Sequence, residues 1–211
     1  MGSPDKATWR ERLRAARALM DDDDRRLAGD RLATAGLAWV ADVSRPGRAD
    51  DGWAVCCYLS AGTEPPTPAL LAALVQAGYR VLVPVCEPGF QLSWARWFPG
   101  VRMARSPLAP VLEPVGPRFP FDAVGPVAGI LLPALAVDLS GVRLGQGGGY
   151  YDRFLATAGT HPRAAVVHDT EVLPAGTLPH DALDRPVDYI VSPGGVRRIG
   201  GLDTPGGVGR K

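Results

Sequence analysis

Residues 53–85, WAVCCYLSAGTEPPTPALLAALVQAGYRVLVPV, decide the fold. Trp53–Leu59 and Tyr79–Val85 are short apolar runs bounded by turn residues, the pattern of strands buried on both faces. Between them Thr67 is placed to cap a helix, with Pro68 at its first position and Gly78 as its stop. Strand, helix and strand at this spacing predict a right-handed parallel crossover, since a tight turn joins only antiparallel neighbours.

The alternation continues outward. Leu92–Trp97 reads as a weaker strand, with Leu92, Trp94 and Arg96 alternating, and Ala128–Val137 as a buried one. A Gly-rich loop follows, then a helix over Tyr150–Ala158, a strand at Ala164–His168 and a last strand at Val187–Val191. Residues 98–127 are proline-rich without any period, which predicts an irregular loop. Upstream, two helices are expected. In the first, Trp9, Leu13, Ala16 and Met20 form an apolar stripe, with Lys6, Arg10, Arg14 and Arg17 on a neighbouring face. Asp21–Asp24 supplies a cap for the second, which runs through Leu27, Leu32, Leu37 and Trp39, and the polar stretch 44–52 reads as a loop. These elements predict a three-layer α/β/α domain with a largely parallel sheet over residues 1–195, and a flexible Gly-rich tail over 196–211.

The 211 residues are 46% hydrophobic and 21% charged, enough for one buried core and unlike a disordered chain. Lys plus Arg (23) nearly balances Asp plus Glu (22), so no broad basic field for nucleic acid exists. No apolar run nears the ~20 residues that span a bilayer, and the N-terminus is charged, so neither a membrane span nor a secretory leader is expected. Cys56, Cys57 and Cys86 cannot build a disulfide framework, and neither CxxC nor HExxH occurs. The expectation is a reduced, cytoplasmic, monomeric protein.

Chemistry concentrates in Arg143-Leu-Gly-Gln-Gly-Gly-Gly-Tyr-Tyr-Asp-Arg153, between a strand and a helix. Gly145, Gly147, Gly148 and Gly149 permit positive φ and expose backbone N–H groups, and the following helix N-terminus favours an anion. Arg143 and Arg153 bracket the loop and can add charge-assisted contacts. GxxxxGK[ST] is missing, and GxGxxG fails because Tyr150 stands at its third Gly. A bare glycine turn would explain the glycines alone; it needs neither the flanking arginines nor the paired tyrosines. Elsewhere the residues read as ordinary. Cys56 and Cys57 lie in a buried strand, and Ser60 lacks the first Gly of GxSxG. His161, His168 and His180 have no ligand spacing, and Trp94 and Trp97 read as core before they read as a slot for a flat ring.

The stretch from Pro133 to Leu155, PALAVDLSGVRLGQGGGYYDRFL, closely resembles the signature of the 5-formyltetrahydrofolate cyclo-ligase (5,10-methenyltetrahydrofolate synthetase) family. The likeness extends over nearly the whole chain. Lys6-Ala-Thr-Trp-Arg10 resembles an N-terminal KxxxR, Tyr58–Glu64 a strand-end Tyr with a loop Glu, Glu113-Pro114 a Glu-Pro pair, and Asp184–Asp188 a late acidic pair. The resemblance implies a fold like that of the NagB/RpiA/CoA-transferase group. It also implies ATP- and Mg²⁺-dependent closure of 5-formyltetrahydrofolate to 5,10-methenyltetrahydrofolate, through an N5-iminium phosphate, with release of ADP and phosphate.

By the same resemblance, ATP would be held by Lys6, Ala7, Thr8, Trp9 and Arg10 and by Arg143, Leu144, Gly145, Gln146, Gly147, Gly148, Gly149, Tyr150 and Tyr151. The folate would meet Leu59, Glu64, Gln146, the three glycines 147–149 and Tyr150. Asp152 and Asp184 would hold Mg²⁺, and Arg143, Tyr151 and Asp152 would be catalytic. The chain departs from the family pattern at Gln146, commonly Arg, at Glu171, often Gln, and at Leu183, commonly His. Asp181 competes with Asp184 only if the following strand shifts by three residues, which would turn its side chains to the opposite face. A sugar-phosphate isomerase, or a noncatalytic phosphate- or nucleotide-binding protein on the same scaffold, is the alternative.

Overall fold

The computed structural model describes residues 4–44 and 52–200. Most of the loop expected at 44–52 and the tail beyond 200 lie outside the described residues. Two helices open the chain, α1 (Lys6–Ala18) and α2 (Asp22–Val43). Aspartates start both: Asp5 accepts from Thr8 N and Asp21 from Asp24 N, at 2.8 and 2.7 Å. The crossover read from residues 53–85 follows as β1 (Ala54–Cys56), α3 (Pro68–Gln76) and β2 (Arg80–Glu87), with β1 and β2 parallel. β3 (Gln91–Trp97) returns antiparallel along β2.

The remaining parallel strands are β7 (Val127–Pro133), β10 (Arg163–Val166) and β12 (Tyr189–Ser192), with α4 (Tyr150–Thr157) between β7 and β10. β6 (Arg118–Phe119) and β13 (Gly195–Arg198) close the edges, giving the order β13-β12-β10-β7-β1-β2-β3-β6. Alternation sorts the side chains into two layers. Val55, Val81, Val83 and Val166 face Leu32, Trp39, Leu70 and Leu74 of α2 and α3. Ala54, Cys56, Leu82, Ile130 and Leu132 face Phe154 and Leu155 of α4. The three-layer, largely parallel architecture expected from the sequence is present. Gly129 lets α2 approach closely: a Cβ there would lie 2.5 Å from the Trp39 ring. Among the described residues no helix is long and apolar enough to cross a membrane.

Several boundaries differ from the sequence reading. Residues 98–127 are not an irregular loop throughout. They hold a small hairpin, β4 (Met103–Arg105) with β5 (Leu112–Pro114), as well as β6. Strands of two or three residues are too short to show a period. Ala128–Val137 is two strands, since the chain leaves the main sheet after Pro133. β8 (Ala136–Asp138) then pairs with β9 (Arg143–Leu144) and β11 (Val172–Leu173) in a second sheet. Residues 196–198, expected in the tail, pair with β12 as part of β13. Thr67 occupies the N-cap position of α3 but makes no capping bond. Its hydroxyl donates to Tyr58 O and accepts from Ser60 N, tying down the loop after β1.

The inward face of α1 is the largest departure. Of the expected apolar stripe Leu13 is buried and Trp9 half-buried, whereas Ala16 is exposed. Leu13 and Trp9 pack with Leu135 and Leu144 as the stripe predicts, but part of the basic stripe turns inward beside them. Arg17 is buried and bonded to buried Glu171 through Nε at 2.5 Å and Nη2 at 2.8 Å, and Nη2 also donates to Ala134 O. Glu171 in turn accepts from His168 N.

Candidate active site

The carboxyl ends of β1, β2 and β7 open into one cavity of about 820 Å³, the place where open parallel sheets leave a crevice for ligands. One wall is polar. Lys6, Arg10 and Arg14, one turn apart on α1, face the loop between β9 and α4. Arg10 Nε donates to Gly145 O at 3.0 Å, and Arg14 Nη2 donates to Gln146 O and Oε1, both at 3.0 Å. Another part of the lining is apolar, built from Leu59, Pro84, Phe90, Leu92 and the 108–112 segment.

The loop ends at α4 with Gly149 as N-cap (φ 72°), and Gly147 is also left-handed (φ 106°). Gly145 and Gly148, expected to share that conformation, do not adopt it. A Cβ on Gly147 would lie 3.4 Å from the Arg10 guanidinium carbon. Glycine therefore serves both the turn and the approach of the cation.

Arg143 is buried beneath the loop. Its Nη2 donates to Asp152 Oδ1 at 2.7 Å and its Nη1 to Pro133 O at 3.2 Å, and its Nε is buried without a hydrogen-bond partner. Lys6 bonds Asp184 at 2.6 Å and Asp181 at 3.0 Å. Burial alone would push the Lys6 ammonium down, but the two aspartates outweigh it and hold it above the ordinary lysine range. Burial likewise works to raise Asp184, and the Lys6 ammonium together with the Asp181 N–H outweighs it and holds the carboxyl low. Glu64 is held by Ala61 N at 2.9 Å and reached by Gln146 Nε2 at 3.4 Å; burial pushes its carboxyl up. Tyr151 lies beside Arg143, 6.0 Å from ring centroid to guanidinium carbon, and burial drives its phenol well above 10.

Leu59, Glu64, Arg143–Asp152 and Asp184 line this cavity together with Lys6 and Arg10. Ala7, Thr8 and Trp9 do not, because they occupy other faces of the same helical turns. Asp184 lines the cavity whereas Asp181 is mostly exposed. Both lie in one turn ahead of β12, closed by Asp184 N to Asp181 O and Asp181 N to Asp184 Oδ2, so burial separates them and strand register does not. Trp94 belongs to the core with Phe121 and Phe154. Cys56 and Cys57 are buried thiols, Cys57 pushed up to about 12, and burial raises Cys86 to about 11. No thiolate is available near neutral pH. Arg14 and Phe90 were not among the expected site residues. For Arg14 the signal was its place on the Lys6–Arg10 stripe, while Phe90 followed a glycine in a segment without a motif.

Fold and site define an α/β protein whose cavity is lined by cations, a glycine turn and apolar side chains. A profile of the 5-formyltetrahydrofolate cyclo-ligase family matches residues 2–193. A 5-formyltetrahydrofolate cyclo-ligase of Mycolicibacterium smegmatis is 37% identical over 161 residues, 74% of this chain and 78% of the relative. The 5,10-methenyltetrahydrofolate synthetase of Aquifex aeolicus superposes with a TM-score of 0.69 at 25% identity, over 95% of both chains. That of Mycoplasma pneumoniae shares the fold at a TM-score of 0.67 and 16% identity, over 90% of this chain and 99% of the other. The chain belongs to the 5-formyltetrahydrofolate cyclo-ligase family and is a ligase.

Proposed function

We propose that this chain closes 5-formyltetrahydrofolate to 5,10-methenyltetrahydrofolate and converts ATP to ADP and phosphate in doing so. The observation that carries this reading is the cavity itself, in which cationic side chains, a glycine turn and apolar side chains share one lining. Lys6, Arg10 and Arg14 would take the phosphates, helped by the N–H groups at the start of α4. Glu64, a carboxylate short of donors, suits the N–H groups of a pterin.

The formamide oxygen would attack the γ-phosphorus as the β–γ bridge breaks and ADP leaves. N10 would then bond to the activated formyl carbon and lose its proton, and the C–O bond would break to release phosphate. Amine and formyl carbon belong to one molecule, so positioning supplies much of the acceleration. Arg143, fixed by Asp152 and Pro133 O, would steady charge on the transferring group. Among the described residues no group of three His, Cys, Asp or Glu side chains could hold a metal. Asp152 and Asp184 both line the cavity and would hold a Mg²⁺ that takes its other ligands from phosphate and water. Bound there, Mg²⁺ would neutralise phosphate charge during transfer.

The test is methenyl absorbance on mixing protein, 5-formyltetrahydrofolate, ATP and Mg²⁺. Product is expected only when nucleotide and metal are both present; full-rate formation in EDTA or without ATP overturns the reading. The metal assignment has its own check. Asp184→Asn is expected to raise the Mg²⁺ concentration for half-maximal turnover by about tenfold or more, and Asp181→Asn to leave it nearly unchanged. The reverse order would place the metal on Asp181.

A further inference from the structure

Phe90 is the only described non-glycine residue with positive φ, at 59°. That conformation is uncommon for a bulky side chain and persists only where its surroundings hold it. The ring is half exposed at the lip of the cavity. Tyr150 meets it edge-on with centroids 5.4 Å apart, and the guanidinium carbon of Arg153 lies 4.9 Å from its centroid. Arg153 is exposed, lies outside the cavity and makes one hydrogen bond, a 3.3 Å contact to Gly149 O.

We propose that Phe90 and Tyr150 seat the aminobenzoyl ring of the folate and that Arg153 binds the glutamate carboxylate beyond it. This rests on the cyclo-ligase reading. In that reaction N10 must reach a formyl carbon lying against the glycine loop, and N10 also carries the aminobenzoyl ring. The ring therefore leaves the reacting centre beside the loop, where Tyr150 follows Gly149 and Phe90 borders the cavity. An aromatic lip offers edge and face contacts to a flat ring. The next group along the substrate is an anion, and the next side chain beyond the lip is a stacked cation with donors to spare. Binding of the tail thereby fixes the direction of N10 as well as adding affinity.

The experiment compares 5-formyltetrahydrofolate with 5-formyltetrahydropteroate, which lacks the glutamate, by turnover and by calorimetric binding. Arg153→Gln is expected to raise KM for the glutamate-bearing substrate about fivefold at low salt, less at high salt, and to leave the pteroate unchanged. Phe90→Gly removes the ring while accepting the backbone conformation, so the fold is retained. It should raise KM for both substrates alike. An Arg153→Gln effect equal for the two substrates, or none, overturns the tail site, as does a Phe90→Gly variant with unchanged KM. Wild-type protein that neither binds nor converts either compound overturns the cyclo-ligase reading itself.

Discussion

Gly147→Val is expected to lower kcat/KM by about a hundredfold or more, the scale at which misplaced donors and cations cost phosphoryl transfer. At φ 106° a β-branched residue is strained whatever space surrounds it. The new side chain would also start 3.4 Å from the Arg10 guanidinium carbon, displacing a cation that is bonded to Gly145 O. The turn would have to open, and the N–H groups it presents would turn with it. Gly148→Val is the control. Gly148 is not left-handed, and a Cβ there would come within 3.3 Å of the Tyr150 ring, a contact that a small ring movement relieves. Its defect should be clearly smaller. Nucleotide affinity unchanged in folded Gly147→Val protein would mean that the cradle is elsewhere.

Arg17→Met is expected to cost about 3–5 kcal/mol of unfolding free energy, because it leaves the Glu171 carboxylate buried without its cation. Both side chains are almost wholly enclosed, at 2% and 5% exposure, so little solvent screening discounts the loss. Arg17→Met with Glu171→Leu should recover much of it, since two apolar side chains of similar volume need no partner. The pair also anchors the end of α1 opposite Lys6, so the single variant should raise KM for ATP in protein that remains folded. Urea titrations of the single and double variants measure the first effect. A single-variant loss below about 1 kcal/mol, the range of exposed pairs, would show that the pair is not the anchor.

The crossover was legible because a doubly buried parallel strand leaves a plain mark: an apolar run with turn residues at both ends. At α1 the helical period held only in part. Hydrophobicity assigns its inward face to Trp9, Leu13, Ala16 and Met20, but the helix also lines a cavity with Lys6, Arg10 and Arg14, and Arg17 is buried by pairing with a residue 154 positions away. No local pattern carries that information. The glycine loop was readable as an anion site, yet which glycines are left-handed depends on how Arg10 and Arg14 hold it. Phe90 was silent for another reason. An ordinary aromatic after a glycine shows its importance only through a backbone angle and two neighbours brought from α4.

The ion pairs around the cavity set a particular starting point for binding. Four cations line it, Lys6, Arg10, Arg14 and Arg143, against three carboxylates, Glu64, Asp152 and Asp184. Two of the cations are already bonded to two of those carboxylates. The site thus resembles an ion-exchange resin loaded with its own counter-ions. On the proposed reading, a triphosphate arriving alone would have to strip Lys6 from Asp184 and leave an aspartate uncompensated. A divalent cation arriving alone meets carboxylates already neutralised. Arriving together, phosphate would take the lysine and metal the aspartate, and each exchange would remove the penalty of the other. Such linkage would make nucleotide affinity depend on metal and metal affinity depend on nucleotide by the same factor, and paired calorimetric titrations are expected to read that reciprocity; nucleotide affinity independent of metal would overturn it.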